Sequence, residues 1–266
     1  MAASLKELDA IKWTLDGGRS LQRNTVAEEV PLALVYNGEP FAVMMLSPTD
    51  LDDFVVGFSY SEGVVDKVSD VAAIEYVESE KGISAYMSIP NRYAKRITQR
   101  KRSLAGRSGC GICGEETIET VMGRTEVVSN EVRIPSASVQ KAIRSLNELQ
   151  TLNKEAGTLH GAAWSDLDGC IKLLREDVGR HNALDKLIGA LMSDSGGVAT
   201  SGFVLMTSRA SYELVAKCSR ANLAVMVAVS GPTTLAINTA NQSGVTLIGF
   251  ARDGRQTIYA NEARIK

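Results

Sequence analysis

Apolar runs at Phe203 to Met206, Leu223 to Val229 and Val245 to Phe250 are separated by helical stretches near Arg209 to Arg220 and Thr233 to Asn241. This alternation constrains the fold more than any other feature of the chain. Strands that recur at such intervals with a helix between them predict a largely parallel sheet with helices on its faces. Upstream, Pro135-Ser136 introduces a helix whose apolar positions Val139, Ala142, Ile143, Leu146 and Leu149 keep helical spacing. A hairpin-like pair of strands around Asp166 to Gly169 and a helix from about Asn182 to Met192 complete the second half of the chain.

The first hundred residues follow a different grammar. Val30 to Tyr36 and Phe41 to Leu46 read as strands joined by a tight Asn37-Gly38 turn. Ser47, Pro48 and Asp50 carry the spacing of a helix start ahead of Leu51, Phe54, Val55 and Phe58, and Gly63 is placed to stop that helix. Ile74 to Glu78 and Ile83 to Ile89 form a second hairpin around Lys81-Gly82. Two domains are therefore expected: a smaller α+β unit over residues 1–128 and an α/β unit over 129–266.

Composition narrows the function classes. The 266 residues are 44% hydrophobic and 23% charged, with a net charge of −2, which argues against general nucleic-acid binding. Met1 to Asp16 lacks the continuous apolar stretch of a signal peptide. The apolar run Leu223 to Val229 is far shorter than the ~20 residues that span a bilayer, so no membrane partner is expected. Of the four cysteines, Cys170 and Cys218 stand isolated in apolar surroundings, unlike a secreted disulfide framework. The expected location is the cytoplasm.

Ligands on such sheets bind beyond the carboxyl ends of the strands, where helix N-termini present free N–H groups. Thr207 to Ser211, Ser230 to Thr234 and Ala251 to Gln256 occupy those ends. Hydroxyls at helix starts in the first two segments, and Arg252 and Arg255 around Gly254 in the third, suit phosphate oxygens. Ser208, Ser230 and Thr233 also suit simple helix capping. The segment from Glu176 to Lys186 packs six ionisable side chains and Gly179 ahead of an apolar helix face. It reads either as a solvated helix start or as a polar pocket built from Asp177, Arg180 and His181.

Gly109-Cys110-Gly111-Ile112-Cys113-Gly114 places two cysteines three residues apart between glycines. It follows a basic run of Arg92, Lys95, Arg96, Arg100, Lys101, Arg102 and Arg107 that contains no acidic residue. Positive charge and exposure favour the thiolate, the reactive form of cysteine. Three chemistries use such a pair: half of a zinc site, a dithiol redox centre, and a sulfur carrier that holds sulfane sulfur as a persulfide. Zinc is disfavoured because the only histidines, His160 and His181, match no zinc-finger spacing and neither belongs to a His-x-Glu motif. No metal site is expected. A thioredoxin-like centre opens a helix after a strand, whereas the glycines here predict a loop.

Taken together, the motif at 109–114, Glu176-Asp177-Val178-Gly179-Arg180-His181-Asn182-Ala183-Leu184-Asp185-Lys186, Ser208-Arg209-Ala210-Ser211-Tyr212-Glu213 and the tail at 247–255 resemble the FdhD family of formate dehydrogenase accessory sulfurtransferases. The resemblance runs from about Glu28 to the final strand. It implies an α/β fold: a C-terminal cytidine-deaminase-like three-layer sandwich beside the smaller N-terminal α+β domain. By position, Cys110 would carry the persulfide with Cys113 as its partner. Ala251, Arg252, Asp253, Gly254, Arg255 and Gln256 would form the cofactor-binding segment. The implied partners are a cysteine desulfurase as sulfur donor, formate dehydrogenase as client, and a second copy of the chain. The implied ligand is the molybdenum bis-molybdopterin guanine dinucleotide cofactor (Mo-bis-MGD). A delivery chaperone that binds this cofactor without carrying sulfur is the alternative.

Overall fold

The computed structural model of the chain describes residues 4–98, 125–193 and 201–266. Strand β3 (Val30–Tyr36) turns at Asn37 and Gly38, both with positive φ (51° and 82°), into β4 (Glu39–Leu46). That conformation is the one a two-residue hairpin needs and the Asn-Gly pair supplies. Strands β5 (Ala72–Ser79) and β6 (Gly82–Ser88) form the second expected hairpin. Parallel pairing of β3 with β6 completes a four-stranded sheet in the order β4-β3-β6-β5. Helix α1 (Leu51–Ser61) buries Phe54 and Phe58 against it, and Tyr36, Phe41 and Phe58 meet edge to face. Gly63, at φ 68°, stops the helix as expected.

One local expectation fails. Ser47 does not cap α1, whose first turn has no side-chain cap and begins after Asp50 in the left-handed region. The Ser47 hydroxyl instead accepts from the Val178 N–H at 3.2 Å, a partner 131 residues away. A second departure is an unforeseen ribbon of β1 (Leu5–Trp13) paired antiparallel with β2 (Arg19–Ala27).

The second half contains α2 (Ser136–Leu149), α3 (Thr151–Ala156), β7 (His160–Asp166), β8 (Ile171–Asp177), α4 (Arg180–Ser193), β9 (Gly202–Met206), α5 (Tyr212–Arg220), β10 (Val225–Ala228), α6 (Thr234–Ser243), β11 (Thr246–Arg252) and β12 (Arg255–Ala260). Its six strands form one sheet in the order β12-β11-β10-β9-β7-β8. Only β9, β10 and β11 pair in parallel, so the sheet is mixed rather than largely parallel. The reason is connection length: β7–β8 and β11–β12 are joined by tight turns, which permit only antiparallel pairing, whereas parallel neighbours need a crossover helix.

Each of the two larger sheets has its own apolar core, one drawn from Leu32 to Ile97 and the other from Val128 to Ala260. Between them α1 and α4 pack backbone to backbone. A Cβ on Gly57 would lie 1.8 Å from the Asp185 carbonyl oxygen, and one on Gly189 would lie 1.9 Å from that of Asp53. Glycine is required here for close approach. Buried polar contacts fix the same junction. Lys186 Nζ reaches Asp177 at 2.7 Å and the Ser47 carbonyl at 2.9 Å. Lys217 Nζ contacts both Asp185 oxygens at 2.9 Å and Glu62 at 2.7 Å.

Candidate functional site

Because β9, β10 and β11 run in the same direction, the loops that follow them share one sheet edge. Ala210 N–H donates to the Gly231 carbonyl at 3.3 Å, Thr233 N–H to that of Ala210 at 3.0 Å, and Phe250 N–H to that of Ser230 at 3.1 Å. The three segments singled out in the sequence therefore lie side by side. Strand β7 runs the opposite way, so its first residues join them: Gly161 N–H donates to Thr207 Oγ1 at 2.8 Å and Thr207 N–H to the Gly161 carbonyl at 3.0 Å. His160 stands opposite Asp177 at the end of β8, bringing the Gly179-Arg180-His181 turn to the same edge.

Ala251 to Gln256 closes the far end of this row as the β11–β12 turn. Ala251 is buried, whereas Arg252 and Arg255 stand opposite one another with exposed side chains. Helix α2 braces the turn. Gln140 Oε1 accepts from the Gly254 N–H at 2.8 Å, Gln140 Nε2 donates to Gln256 Oε1 at 2.8 Å, and Arg144 pairs with Asp253 at 3.2 Å. Phe250, left-handed at φ 49° within a bulge, exposes its ring beside the segment. The arrangement offers guanidinium groups on a fixed turn next to an aromatic face, chemistry that suits phosphate and a flat ring.

At the other end of the row, His181 Nε2 lies 3.4 Å from both Ser211 Oγ and Glu213 Oε2, and Ser211 Oγ donates to that same Glu213 oxygen at 2.8 Å. The hydrogen bond from His181, helped by Ser211, holds the Glu213 carboxyl down at about 2. Burial lowers the pKa of His160, and Arg180 beside it adds to the effect. Thr233 caps α6 through Ala236 N–H at 3.2 Å, as the simpler reading of that residue requires. Ser208 does not cap α5, whose N-cap position is Ser211; its hydroxyl donates to the Arg209 carbonyl at 3.0 Å.

The Glu213 contacts carry a pH prediction. A carboxylate with a folded pKa below its unfolded value of 4.5 contributes stability above that pH, lost as pH falls toward 2. Since Glu213 is half exposed, solvent screening reduces its contribution to about 1 kcal/mol. Urea unfolding of Glu213→Gln should show that deficit at pH 7, and the deficit should close between pH 4.5 and pH 2. A deficit that persists at pH 2 would place the effect in packing instead.

Cys110 and Cys113 lie outside the described residues. So do Arg100, Lys101, Arg102 and Arg107 of the basic run. Its earlier members serve the N-terminal half: Arg92 pairs with Asp70 at 2.5 Å, and Arg96 forks onto Asp66 at 2.7 and 3.0 Å. Cys218 is buried in the core and burial pushes its thiol up to about 12. Cys170 departs from its expected apolar setting, because Lys141 Nζ donates to its Sγ at 3.1 Å. Among the described residues no group of three or more His, Cys, Asp or Glu side chains is placed to hold a metal ion. No helix among them is long and apolar enough to cross a membrane. The burial of Lys186, and Lys217 altogether, escaped sequence reasoning. Their only local signal is a charged residue on an otherwise apolar helix face.

Comparison with known proteins points in one direction. A family model described as the FdhD/NarQ family matches residues 27–266. The Sulfur carrier protein FdhD of Xanthomonas campestris pv. campestris is 46% identical over 250 residues, covering 94% of this chain and 89% of that protein. Its namesake from Cupriavidus necator is 48% identical over 250 residues, covering 94% and 86%. Among solved structures, a candidate formate dehydrogenase accessory protein from Desulfotalea psychrophila matches with a TM-score of 0.76 over 99% of this chain and 100% of that one. At 23% identity, that likeness establishes a shared mixed α/β fold.

Proposed function

Because the chain belongs to the FdhD/NarQ family, we propose that it is a sulfur carrier serving formate dehydrogenase. The observation that carries this reading is the pair of relatives, 46% and 48% identical along nearly the whole chain, that bear the name sulfur carrier protein. In this reading a cysteine desulfurase offers the terminal sulfur of its own persulfide. The Cys110 thiolate attacks that sulfur, the desulfurase leaves as a thiolate, and Cys110 holds the sulfane sulfur. Delivery as sulfide to the molybdenum of Mo-bis-MGD needs two electrons. Attack by the Cys113 thiolate on the Cys110 sulfur supplies them, releasing sulfide and closing a Cys110 to Cys113 disulfide that an external dithiol then reduces.

Mo-bis-MGD enters as a substrate and is held through its phosphates along the sheet edge, with Ala251 to Gln256 as its binding segment. The strand order β8-β7-β9-β10-β11, with β7 antiparallel to its neighbours, supports a cytidine-deaminase-like arrangement for the second half. We place the protein in the cytoplasm as a homodimer, where desulfurase and client are both within reach.

Intact-mass and peptide mass spectrometry after incubation with a cysteine desulfurase and cysteine tests the carrier step. One added sulfur, about 32 Da, is expected on Cys110, released by reductant and absent from Cys110→Ala. Buried Cys218 should stay unmodified throughout. If wild-type protein gains no sulfur yet still activates the dehydrogenase, the delivery-chaperone reading replaces this one.

A further inference from the structure

Arginines stand at both ends of the loop row. At the β11–β12 end, Arg144 offsets Asp253. At the β8–β9 end, two arginines form no salt bridge among the described residues. Arg180 opens α4 and Arg209 lies in the loop between β9 and α5, two segments tied together by the contacts of His181 with Ser211 and Glu213 at 3.4 Å. Arg209 acts on Arg180 as a like charge, opposed in part by the Glu213 carboxylate, and among the described residues Arg180 Nε is buried without a hydrogen-bond partner.

Nearby carboxylates are already committed. Asp177 receives Lys186 Nζ at 2.7 Å, Ser47 N–H at 3.0 Å and Gly179 N–H at 2.8 Å. Glu176 accepts from the Leu152 and Asn153 N–H groups at 3.0 and 2.9 Å. Glu213 faces His181 and Ser211 through one oxygen. A buried guanidinium N–H left without a partner costs ~1–3 kcal/mol or more, so its persistence calls for an acceptor. The acceptor must be anionic, since Arg180 opens a 14-residue helix and the exposed Arg209 adds a second positive charge beside it. It must also be multidentate, because an arginine fork pairs best with the paired oxygens of a phosphate or carboxylate.

We propose that Arg180 and Arg209 form a second phosphate station on this sheet edge, one that takes a diphosphate group. His160, half-buried on the neighbouring strand, borders the station. The station is distinct from the arginine turn at 252–255: β8 and β11 lie four strand spacings apart in the sheet, about 19 Å at the usual interval. As an account of what the protein handles, the inference rests on the reading of this edge as the seat of Mo-bis-MGD. A ligand with two dinucleotide arms carries two diphosphates, and the row presents one cationic station at each end.

Isothermal titration with inorganic pyrophosphate at fixed ionic strength tests it, using the full chain. Wild-type protein should bind pyrophosphate, Arg180→Gln and Arg209→Gln should each weaken the tighter event at least tenfold, and Arg180→Lys should fall between. Arg255→Gln should leave that event in place, with melting curves confirming that every variant is folded. Equal affinity in wild type and the Arg180→Gln, Arg209→Gln double variant would overturn the station, as would wild type that binds no pyrophosphate. Sulfur loading of wild-type Cys110 reads the other proposal independently: loading without pyrophosphate binding overturns only the station, and binding without loading overturns only the carrier step.

Discussion

Gly189→Ala should lower the melting temperature by about 6 to 12 °C, corresponding to roughly 3 kcal/mol of lost stability in a chain of this size. The sign is the informative part. In an exposed helix interior, alanine is about 1 kcal/mol better than glycine, so propensity alone predicts stabilisation. At position 189, however, the added carbon would lie 1.9 Å from the Asp53 carbonyl oxygen and 2.9 Å from the Gly57 nitrogen. Those neighbours are backbone atoms of α1 and cannot rotate away. The two helices must separate, which weakens contacts in both cores at once. Gly57→Ala should behave alike, because its new carbon would lie 2.7 Å from the Gly189 nitrogen. The double variant should cost less than the sum of the singles, since once the helices have parted the second methyl finds room. A melting temperature that rises in Gly189→Ala would mean that α1 and α4 are not in backbone contact.

Local rules explain which parts of this architecture the sequence disclosed. Asn37-Gly38 selected its turn, and the alternation after Phe203 placed β9, β10, β11 and their intervening helices, because those patterns are set by neighbours in the chain. The β1–β2 ribbon was illegible for the opposite reason: Leu8, Ile11, Trp13 and Leu21 remain exposed, so no alternation of buried and solvated positions marks it. Ser47 was misread because its hydroxyl answers to Val178, across the junction of the two halves. The same applies to the candidate site. Arg252, Gly254 and Arg255 announce themselves as a turn, and Asp177, Arg180 and His181 as a polar helix start. That Arg180 and Arg209 share one end of the row depends on β7 entering antiparallel between β8 and β9, which no spacing in the sequence specifies.

The junction should fail as sharply at Lys186 as at Gly189, through charge instead of volume. Both Lys186 and Asp177 have fully buried side chains. Burial pulls the lysine below its ordinary pKa while Asp177 pulls the other way, so the pair is held together at the expense of two desolvated groups. Lys186→Met removes one of them and leaves the Asp177 carboxylate stranded in the core, an arrangement that costs about 3 to 5 kcal/mol. Adding Asp177→Asn should recover part of that loss. The amide oxygen can still accept from the Gly179 N–H, now 2.8 Å from Asp177 Oδ1, but the amide nitrogen then faces the Ser47 N–H that Oδ2 serves at 3.0 Å; the gain is that no buried charge remains. Chemical unfolding of the two single variants and the double gives the coupling directly. Additive costs would show that the ion pair contributes nothing as a pair. A large coupling with partial recovery of stability would show that it sets how the halves dock. Lys186 and Asp177 grip Ser47 from both sides, its carbonyl and its N–H, and so fix the entry to α1 against the turn that carries Arg180 and His181. On that outcome the pair is a device for positioning the candidate site, and the recovered double variant should still bind pyrophosphate more weakly than wild type.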